Sequence, residues 1–210
     1  MLHGKPLMAY TIDAALNSNV FDDVIVSTDS EEYADIAKGQ GAWVPFLRGS
    51  ALSGDAVPLS AVTLDVIDQL EALGNAYEYC CMLQPTCPLR SADDIANAYA
   101  TLQTKQATAV VSVVAKKHPR YTCGELDATL SLDGFIAKAH REVMRQDMNK
   151  LYEISGALCF LHVASYMQSK TPYGARSYAH VLSSSHALDI DTHLDFALAE
   201  VLLANPQLQH

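Results

Sequence analysis

The chain has 210 residues, of which half are hydrophobic and 18% are charged, a composition typical of one or at most two globular domains with a substantial core. The formal net charge of -10 argues against nucleic acid as a partner, and no apolar run reaches the length of a membrane span. Five cysteines without CxxC spacing predict reduced thiols in a cytoplasmic protein and argue against a disulfide framework or a zinc site. An anionic small ligand is compatible with the negative charge if local cations or a metal ion offset it.

The first half of the chain alternates between helical and extended patterns. Apolar spacing and capping residues predict four helices. Three of them cover Pro6–Leu16, Val57–Leu73 and Ser91–Thr104. The remaining helix begins at the capping segment Asp29–Glu32 and ends near Gly39 and Gly41. Buried apolar runs predict strands at Val24–Ser27, Ala42–Phe46, Tyr77–Leu83 and Ala109–Val114. This alternation predicts an α/β fold with a doubly wound, mostly parallel sheet, in a single domain spanning residues 1–210.

The alternation breaks down after Val114. A basic cluster at Lys116–Arg120 precedes a predicted hairpin at Leu130–Phe135, and a short strand is predicted at Ala157–Val163. An excursion of this kind, over about 116–176, predicts a dimerisation arm or a lid. The last part returns to the earlier pattern, with a strand at Tyr178–Leu182 and a helix over about Thr192–Ala204.

The stretch Tyr77–Arg90 is predicted to form the central strand of the sheet and the loop that follows it. Its apolar first half predicts a strand in the middle of a parallel sheet, and two prolines then end that strand in a stiff loop. Because ligands of open α/β sheets lie beyond the carboxyl ends of strands, Gln84, Thr86 and Arg90 form a candidate ligand wall. The alternative is a connector whose polar groups satisfy only its own backbone.

The segment Asp189-Ile190-Asp191 is the sharpest candidate site. Residues two apart in an extended chain face the same way, so both carboxylates would point towards one ligand. Two carboxylates suit Mg²⁺, which completes its shell with water and substrate phosphate. The alternative is that Asp191 caps the last helix while Asp189 is solvated.

Two arginines are further candidates for anion binding. A guanidinium binds a phosphate or a carboxylate in a bidentate manner, which would suit Arg145 and Arg48 if their side chains point inward. Simple solvation is the alternative for both. The histidines share no ligand spacing, and Ser183–His186 lacks the strand–turn–helix elbow of a hydrolase nucleophile, so it is predicted as a flexible loop.

Collinear segments over nearly the whole chain resemble one family, the bacterial CMP-sialic acid synthetases. The matching segments are GKPLMAYTIDAAL (4–16), FDDVIVSTDSEEYADIAKGQGAWVPFLR (21–48), LQPTCPLRSADDI (83–95), RQDMNKLYEISGAL (145–158) and LDIDTHLDFALAE (188–200). The resemblance implies a fold of the nucleotide-diphospho-sugar transferase type. It also implies Mg²⁺-dependent transfer of CMP from CTP to the anomeric hydroxyl of a nonulosonic (nine-carbon) sugar acid, with release of pyrophosphate.

The resemblance also implies residue roles. Asp189 and Asp191 match the family's metal-binding aspartates, and Arg48 matches the arginine of the cytidine pocket. Gln84 matches the glutamine that contacts the sugar, and Tyr173 is a second candidate for substrate binding. Arg145 matches the arginine of a dimerisation arm that reaches into the neighbouring subunit's site, which implies a homodimer.

One departure from the family concerns the start of the chain. The sequence opens on the helix that follows the family's first strand and phosphate loop, and no GxGxxG or Walker-type motif stands elsewhere. We therefore expect an N-terminally truncated homologue, with low stability and no CTP-dependent transfer on its own. A non-catalytic remnant that dimerises or binds sugar or nucleotide is the alternative to an enzyme.

Overall fold

The computed structural model describes residues 1–116, 128, 130 and 150–209. The helices within these ranges are α1 (Leu7–Ser18), α2 (Glu31–Gly39), α3 (Leu59–Ala72), α4 (Ala92–Thr104), α5 (Val163–Ser169) and α6 (His193–Ala204). The strands are β1 (Tyr79–Met82), β2 (Ala109–Ala115), β3 (Tyr152–His162) and β4 (Ser177–Leu182). Short 3₁₀ turns lie at Ser50–Leu52 and Pro206–Leu208. The predicted hairpin, most of the basic cluster, and Arg145 lie outside the described residues.

Local capping chemistry sets where the helices begin. Ser91 accepts a hydrogen bond from the Asp94 amide, and the Asp94 carboxylate accepts one from the Ser91 amide, which makes a capping box at the start of α4. Thr192 and Asp195 make the same reciprocal pair at the start of α6. These patterns are local in sequence, and the helices predicted in both places are confirmed.

The four strands form one mixed sheet in the order β1-β3-β2-β4. β3 runs antiparallel to both β1 and β2, and β2 is parallel to β4. The sheet is therefore mixed where the sequence predicts a mostly parallel one, because β3 lies between β1 and β2 and runs against both. Within the described part of the chain, β1 pairs with β3 alone, so it ends this strand order instead of lying in its middle.

The predicted strands Val24–Ser27 and Ala42–Phe46 pair over a single parallel bridge. The bridge joins Ile25 and Trp43. The Trp43 amide donates to the Val24 carbonyl at 2.7 Å, and the Val26 amide donates to the Trp43 carbonyl at 3.0 Å. The two segments are thus extended neighbours, as the sequence predicts, but too little of them pairs to form a continuous ladder.

Helices pack on both faces of the sheet. On one face α1 and α4 contact Val110, Leu158 and Phe160, and the Phe21 ring stacks on Phe160 with centroids 5.8 Å apart. On the other face Leu64 and Ile67 of α3 and Tyr166 of α5 join a second apolar cluster around Leu161. This layering confirms the α/β class.

Strand direction defines two ends of the sheet. β1, β2 and β4 all point the same way, since β1 and β2 are each antiparallel to β3 and β4 is parallel to β2. Their carboxyl ends therefore lie at one end of the sheet, together with the amino end of β3. None of the helices in the described ranges is long and apolar enough to cross a membrane.

Candidate active site

The loop after β1 lies at the carboxyl end of the parallel strands. The Cys87 amide donates to the Gln84 carbonyl at 3.3 Å, which closes the turn at Pro85 and Thr86. The Thr86 carbonyl accepts a hydrogen bond from the Ile190 amide at 2.9 Å. The proline-rich loop and the Asp189–Asp191 segment are therefore in direct contact, through residues 104 apart in the sequence.

Arg90 anchors this loop and does not face a ligand. Its residue is only 2% exposed, and its guanidinium donates to the carbonyls of Gln84 and Ala157 and to the Thr11 hydroxyl. Burial lowers the pKa of Arg90, against the opposing influence of nearby thiols and Asp94. Of the three residues predicted to face a ligand, Arg90 therefore has a structural role, because it links α1, β3 and the loop.

The structure removes the capping alternative for Asp191. The N-cap of α6 is Thr192, whose hydroxyl accepts from the Asp195 amide at 3.2 Å. Asp191 contributes its backbone amide, which donates to the Asp195 carboxylate at 3.3 Å, and its side chain is exposed. The Asp191 carboxylate is therefore available to a ligand.

Asp189 has a buried oxygen without a partner. Its Oδ1 atom is shielded from solvent and makes no hydrogen bond to any described residue. The neighbouring Cys87 thiol is fully buried; burial and then the charge of Asp189 raise its pKa to about 12, so it is protonated at neutral pH. A buried carboxylate oxygen without a partner is costly unless a cation or donor pairs with it.

These two carboxylates fit Mg²⁺ better than a transition metal. Within the described ranges, no group of three or more His, Cys, Asp and Glu side chains converges as a metal site. A protein site of one or two carboxylates, completed by water and substrate phosphate, is characteristic of Mg²⁺. Asp189 and Asp191 would hold such an ion at the carboxyl end of β4.

Arg48 lies in a second group of contacts. It follows the extended segment at Trp43, and its amide donates to the Thr28 carbonyl at 2.8 Å. Its guanidinium contacts the Ser27 carbonyl and the Ser53 hydroxyl and lies 3.7 Å from an Asp29 oxygen. The side chain is 22% exposed, so it packs along the ends of the two extended segments with part of its donor set open.

Tyr173 lies at the opposite end of the sheet. It lines a cavity of about 490 Å³ with Thr108, Tyr166 and Ser177, which stand at the amino ends of β2 and β4 and on α5. The described structure therefore brings the loop that carries Gln84 into contact with the segment that carries Asp189 and Asp191, and it does not bring Tyr173 to them. The role predicted for Arg145 concerns a residue outside the described ranges.

Two residues of this site escape prediction from single motifs. His186, in the predicted flexible loop, hydrogen-bonds Asp94 of α4 and so anchors the segment leading to Asp189. Gly156, within β3, lies against the Gln84 side chain. An isolated glycine in a strand pattern signals a bulge or a close backbone approach, and this signal marks Gly156 in the sequence.

The chain is similar in sequence to known cytidylyltransferases. A family model described as "Cytidylyltransferase" matches residues 1–207. The chain is 31% identical over 199 residues to a pseudaminic acid cytidylyltransferase of Campylobacter jejuni, covering 95% of this chain and 85% of that protein. It is 36% identical over 205 residues to an N-acylneuraminate cytidylyltransferase of Escherichia coli, covering 95% of this chain and 46% of that protein. These matches confirm the resemblance found in the sequence.

Solved structures share the fold. A CMP:2-keto-3-deoxy-manno-octonic acid synthetase, solved in complex with CTP, superposes with a TM-score of 0.69 over 98% of this chain and 90% of that chain. The sequence identity is 12%, so this likeness concerns the fold alone. It confirms the α/β architecture.

Proposed function

We propose that this chain, which belongs to the cytidylyltransferase family, transfers CMP from CTP to the anomeric hydroxyl of a nonulosonic sugar acid. The relatives are named for pseudaminic and N-acylneuraminic acids, so we propose a nine-carbon 2-keto sugar acid of this group as the acceptor. The observation that carries the proposal is the contact between the Gln84–Arg90 loop and the Asp189–Asp191 segment, with the unpaired Asp189 oxygen beside it.

The reaction brings two anions, CTP and the sugar acid, together on a protein whose formal net charge is -10. The anomeric hydroxyl oxygen would attack the α-phosphorus of CTP and form a P–O bond to the sugar, while the bond from that phosphorus to the bridging oxygen breaks and pyrophosphate leaves. The hydroxyl proton would pass to solvent. Bound Mg²⁺ would offset the triphosphate charge. Asp189 and Asp191 would fix the triphosphate through that ion, and Arg48 would contact the nucleotide.

Gln84 is the proposed sugar contact. Its side-chain amide offers both donors and an acceptor to hydroxyl, N-acyl or carboxylate groups. Its position in the loop that contacts the Asp189–Asp191 segment would place the acceptor sugar near the nucleotide phosphates. Arg145 and Tyr173 complete the proposed set, and Arg145 would act from an arm over about 116–176 that joins two copies of the chain. The cytoplasmic location also stays a prediction.

Pyrophosphate release tests the proposal. The chain is incubated with Mg²⁺, CTP and, in turn, N-acetylneuraminic, legionaminic and pseudaminic acids. Release that requires both CTP and one of these acids, and that stops when UTP or ATP replaces CTP, supports the proposal. If a folded sample releases no pyrophosphate with any of the three acids, the non-catalytic alternative is favoured.

A further inference from the structure

The Gln84 side chain packs closely against the backbone of Gly156. A Cβ atom built on Gly156 would lie 2.7 Å from Gln84 Oε1 and 3.4 Å from its Cδ. Real Cβ atoms essentially never come this close to another heavy atom. Gly156 also has a φ of +73°, in the left-handed region that side chains disfavour. The positive φ therefore favours glycine at this position, and a Cβ added there would force the end of the Gln84 side chain to shift.

A buried serine fixes the backbone around Gly156. The pairing of β2 with β3 changes register between Val111 and Val113, opposite the stretch from Ile154 to Cys159. Inside this irregularity the fully buried Ser112 hydroxyl donates to the Leu158 carbonyl and accepts from the Leu158 amide, both at 3.0 Å. Irregularities of this type redirect a strand next to active sites.

Ser155 adds a second hydrogen-bonded anchor to the same stretch. Its hydroxyl donates to the Ser112 hydroxyl at 2.7 Å and accepts from the Ala157 amide at 3.4 Å. Ser112 therefore uses its one donor and both of its acceptor positions within this stretch. The backbone on either side of Gly156 is thus held by side chains in place of a regular ladder.

Arg90 ties the other partner of the contact to the same stretch. One guanidinium nitrogen donates to the Gln84 carbonyl at 3.4 Å and also to the Ala157 carbonyl. The backbones on both sides of the Gly156–Gln84 contact are thus joined by one buried cation. Because neither backbone is free to retreat, the Gln84 amide group rests on the Gly156 backbone and takes its position from it.

We infer that Gly156 is a positioning residue for the sugar acid, acting through Gln84. The Gln84 amide packs against the Gly156 backbone, and any side chain at position 156 displaces that amide from the position in which it would contact the sugar. This inference rests on the proposed function, in which Gln84 contacts the sugar. It predicts an effect on the sugar acid and not on CTP.

A matched pair of glycine variants tests the inference kinetically. Gly74 also has a positive φ, +86°, but nothing lies within 4 Å of a Cβ added there. Gly74→Ala therefore imposes similar backbone strain without touching Gln84. We expect Gly156→Ala to raise KM for the sugar acid at least tenfold and to leave KM for CTP within twofold, whereas Gly74→Ala changes neither. An unchanged sugar KM in Gly156→Ala, or equal increases for both substrates, overturns the inference.

A double-mutant cycle shows whether the effect passes through Gln84. In a Gln84→Ala background the clash is gone, so Gly156→Ala should add less than a twofold change in sugar KM. An undiminished increase in that background overturns the inference. If Gly156→Ala fails to fold, Ser112→Ala loosens the same stretch without filling the space, and it should likewise raise KM for the sugar selectively; an unaltered sugar KM in Ser112→Ala counts against the inference.

A readout without turnover separates this inference from the proposed function. The side-chain amide signals of Gln84 in a ¹⁵N–¹H spectrum are identified by their loss in Gln84→Ala. They should shift in Gly156→Ala and stay in place in Gly74→Ala. If the wild-type chain shows no transfer with any sugar acid, the proposed function fails, and the spectrum still decides the contact. Unshifted Gln84 signals in a folded Gly156→Ala protein overturn the inference.

Discussion

The His186 Nδ1 atom lies 2.7 Å from the Asp94 Oδ2 atom, joining residues 92 apart in the sequence. Asp94 is also the reciprocal partner of Ser91 in the capping box of α4, where the same oxygen accepts from the Ser91 amide at 2.8 Å. The two side chains are about one-fifth exposed. This pair therefore links the first turn of α4 to the segment that continues into Asp189.

The pair shifts the titration of both partners. The hydrogen bond to Asp94 raises the pKa of His186, and the Asp94 charge adds to this while burial opposes it. Burial opposes the shift of Asp94, but hydrogen bonds from His186 and Ser91 prevail and lower its pKa. His180 faces the same carboxylate; burial lowers its pKa and the Asp94 charge opposes this.

We predict that the charged pair stabilises the fold at mildly acidic pH. A histidine with a raised folded pKa contributes stability that is fully present below its unfolded pKa of about 6.5 and is lost as pH rises through the folded value. His186→Gln removes the charge and keeps a donor. The difference in unfolding free energy between wild type and His186→Gln should therefore be larger at pH 5.5 than at pH 8.5, by about 1 kcal/mol. Urea unfolding at both pH values measures it.

Comparison with a second histidine isolates this effect. His193 is exposed at the start of α6, so His193→Gln should give a difference that is small and similar at both pH values. Because His180 is present in every protein compared, its opposite contribution cancels. A pH-independent cost of His186→Gln would show that the pair acts as a neutral hydrogen bond.

Arg90 should be among the most costly residues to remove. Its loss leaves the buried Ala157 carbonyl and the Thr11 hydroxyl without the guanidinium donor, and removes one of several donors to the Gln84 carbonyl. Buried hydrogen bonds to a charged group are worth about 1.5–3 kcal/mol each in net terms, and they are not additive. We expect Arg90→Ala to lower the unfolding free energy by about 3 kcal/mol or more, and the exposed control Arg176→Ala to change it by less than about 0.5 kcal/mol. Equal stability of the two variants, measured by chemical denaturation, would contradict the anchoring role.

Local chemistry explains which parts of the fold are predictable. The capping boxes at Ser91 and Thr192 lie within four residues, so the starts of α4 and α6 follow from the sequence alone. The placement of β3 between β1 and β2 does not, because strand order depends on contacts between distant segments. The apolar run Tyr77–Leu83 looks the same beside a parallel or an antiparallel neighbour.

The candidate site also has features that the sequence predicts and features that only the fold shows. The spacing of Asp189 and Asp191 predicts a shared direction for their carboxylates, but only the fold shows that Thr192 takes over the capping role. Arg90 and Gln84 belong to one predicted loop, yet one is buried as an anchor and the other lies against Gly156. Which of two polar neighbours turns inward depends on the acceptors that β3 and α1 bring, and these are far away in sequence.

The exposed apolar side chains at the amino end of β3 predict self-association. Tyr152 is 49% and Ile154 is 52% exposed, and residues two apart on a strand share a face. If the proposed arm joins two copies, Ile154→Glu should convert a dimer to a monomer in light scattering at micromolar concentration, since a buried charge at an interface is costly. Leu73→Glu, at a position 57% exposed beyond α3, is the control and should leave the mass unchanged. A monomeric wild type would refute the proposed arm.

We predict that Asp189 and Asp191 bind Mg²⁺ together with CTP. A ligand that binds only the folded state raises its stability by RT ln(1 + [L]/Kd), about 2.7 kcal/mol at a hundredfold excess over Kd. We therefore expect Mg²⁺ with CTP to raise the melting temperature of the wild type, and Asp189→Asn and Asp191→Asn each to abolish most of that rise. Pyrophosphate release should fall at least a hundredfold in both variants.

The two aspartates should differ when Mg²⁺ is absent. Asp189 carries a buried oxygen without a described partner, so Asp189→Asn relieves an uncompensated charge and should not lower the melting temperature without metal. Asp191 is exposed, so Asp191→Asn should leave the melting temperature of the metal-free protein nearly unchanged. Asp68→Asn, exposed on α3, removes the same charge elsewhere and should keep both the Mg²⁺ response and the rate. If Asp189→Asn destabilises the metal-free protein and retains its Mg²⁺ response, the carboxylate serves the fold and not the ion.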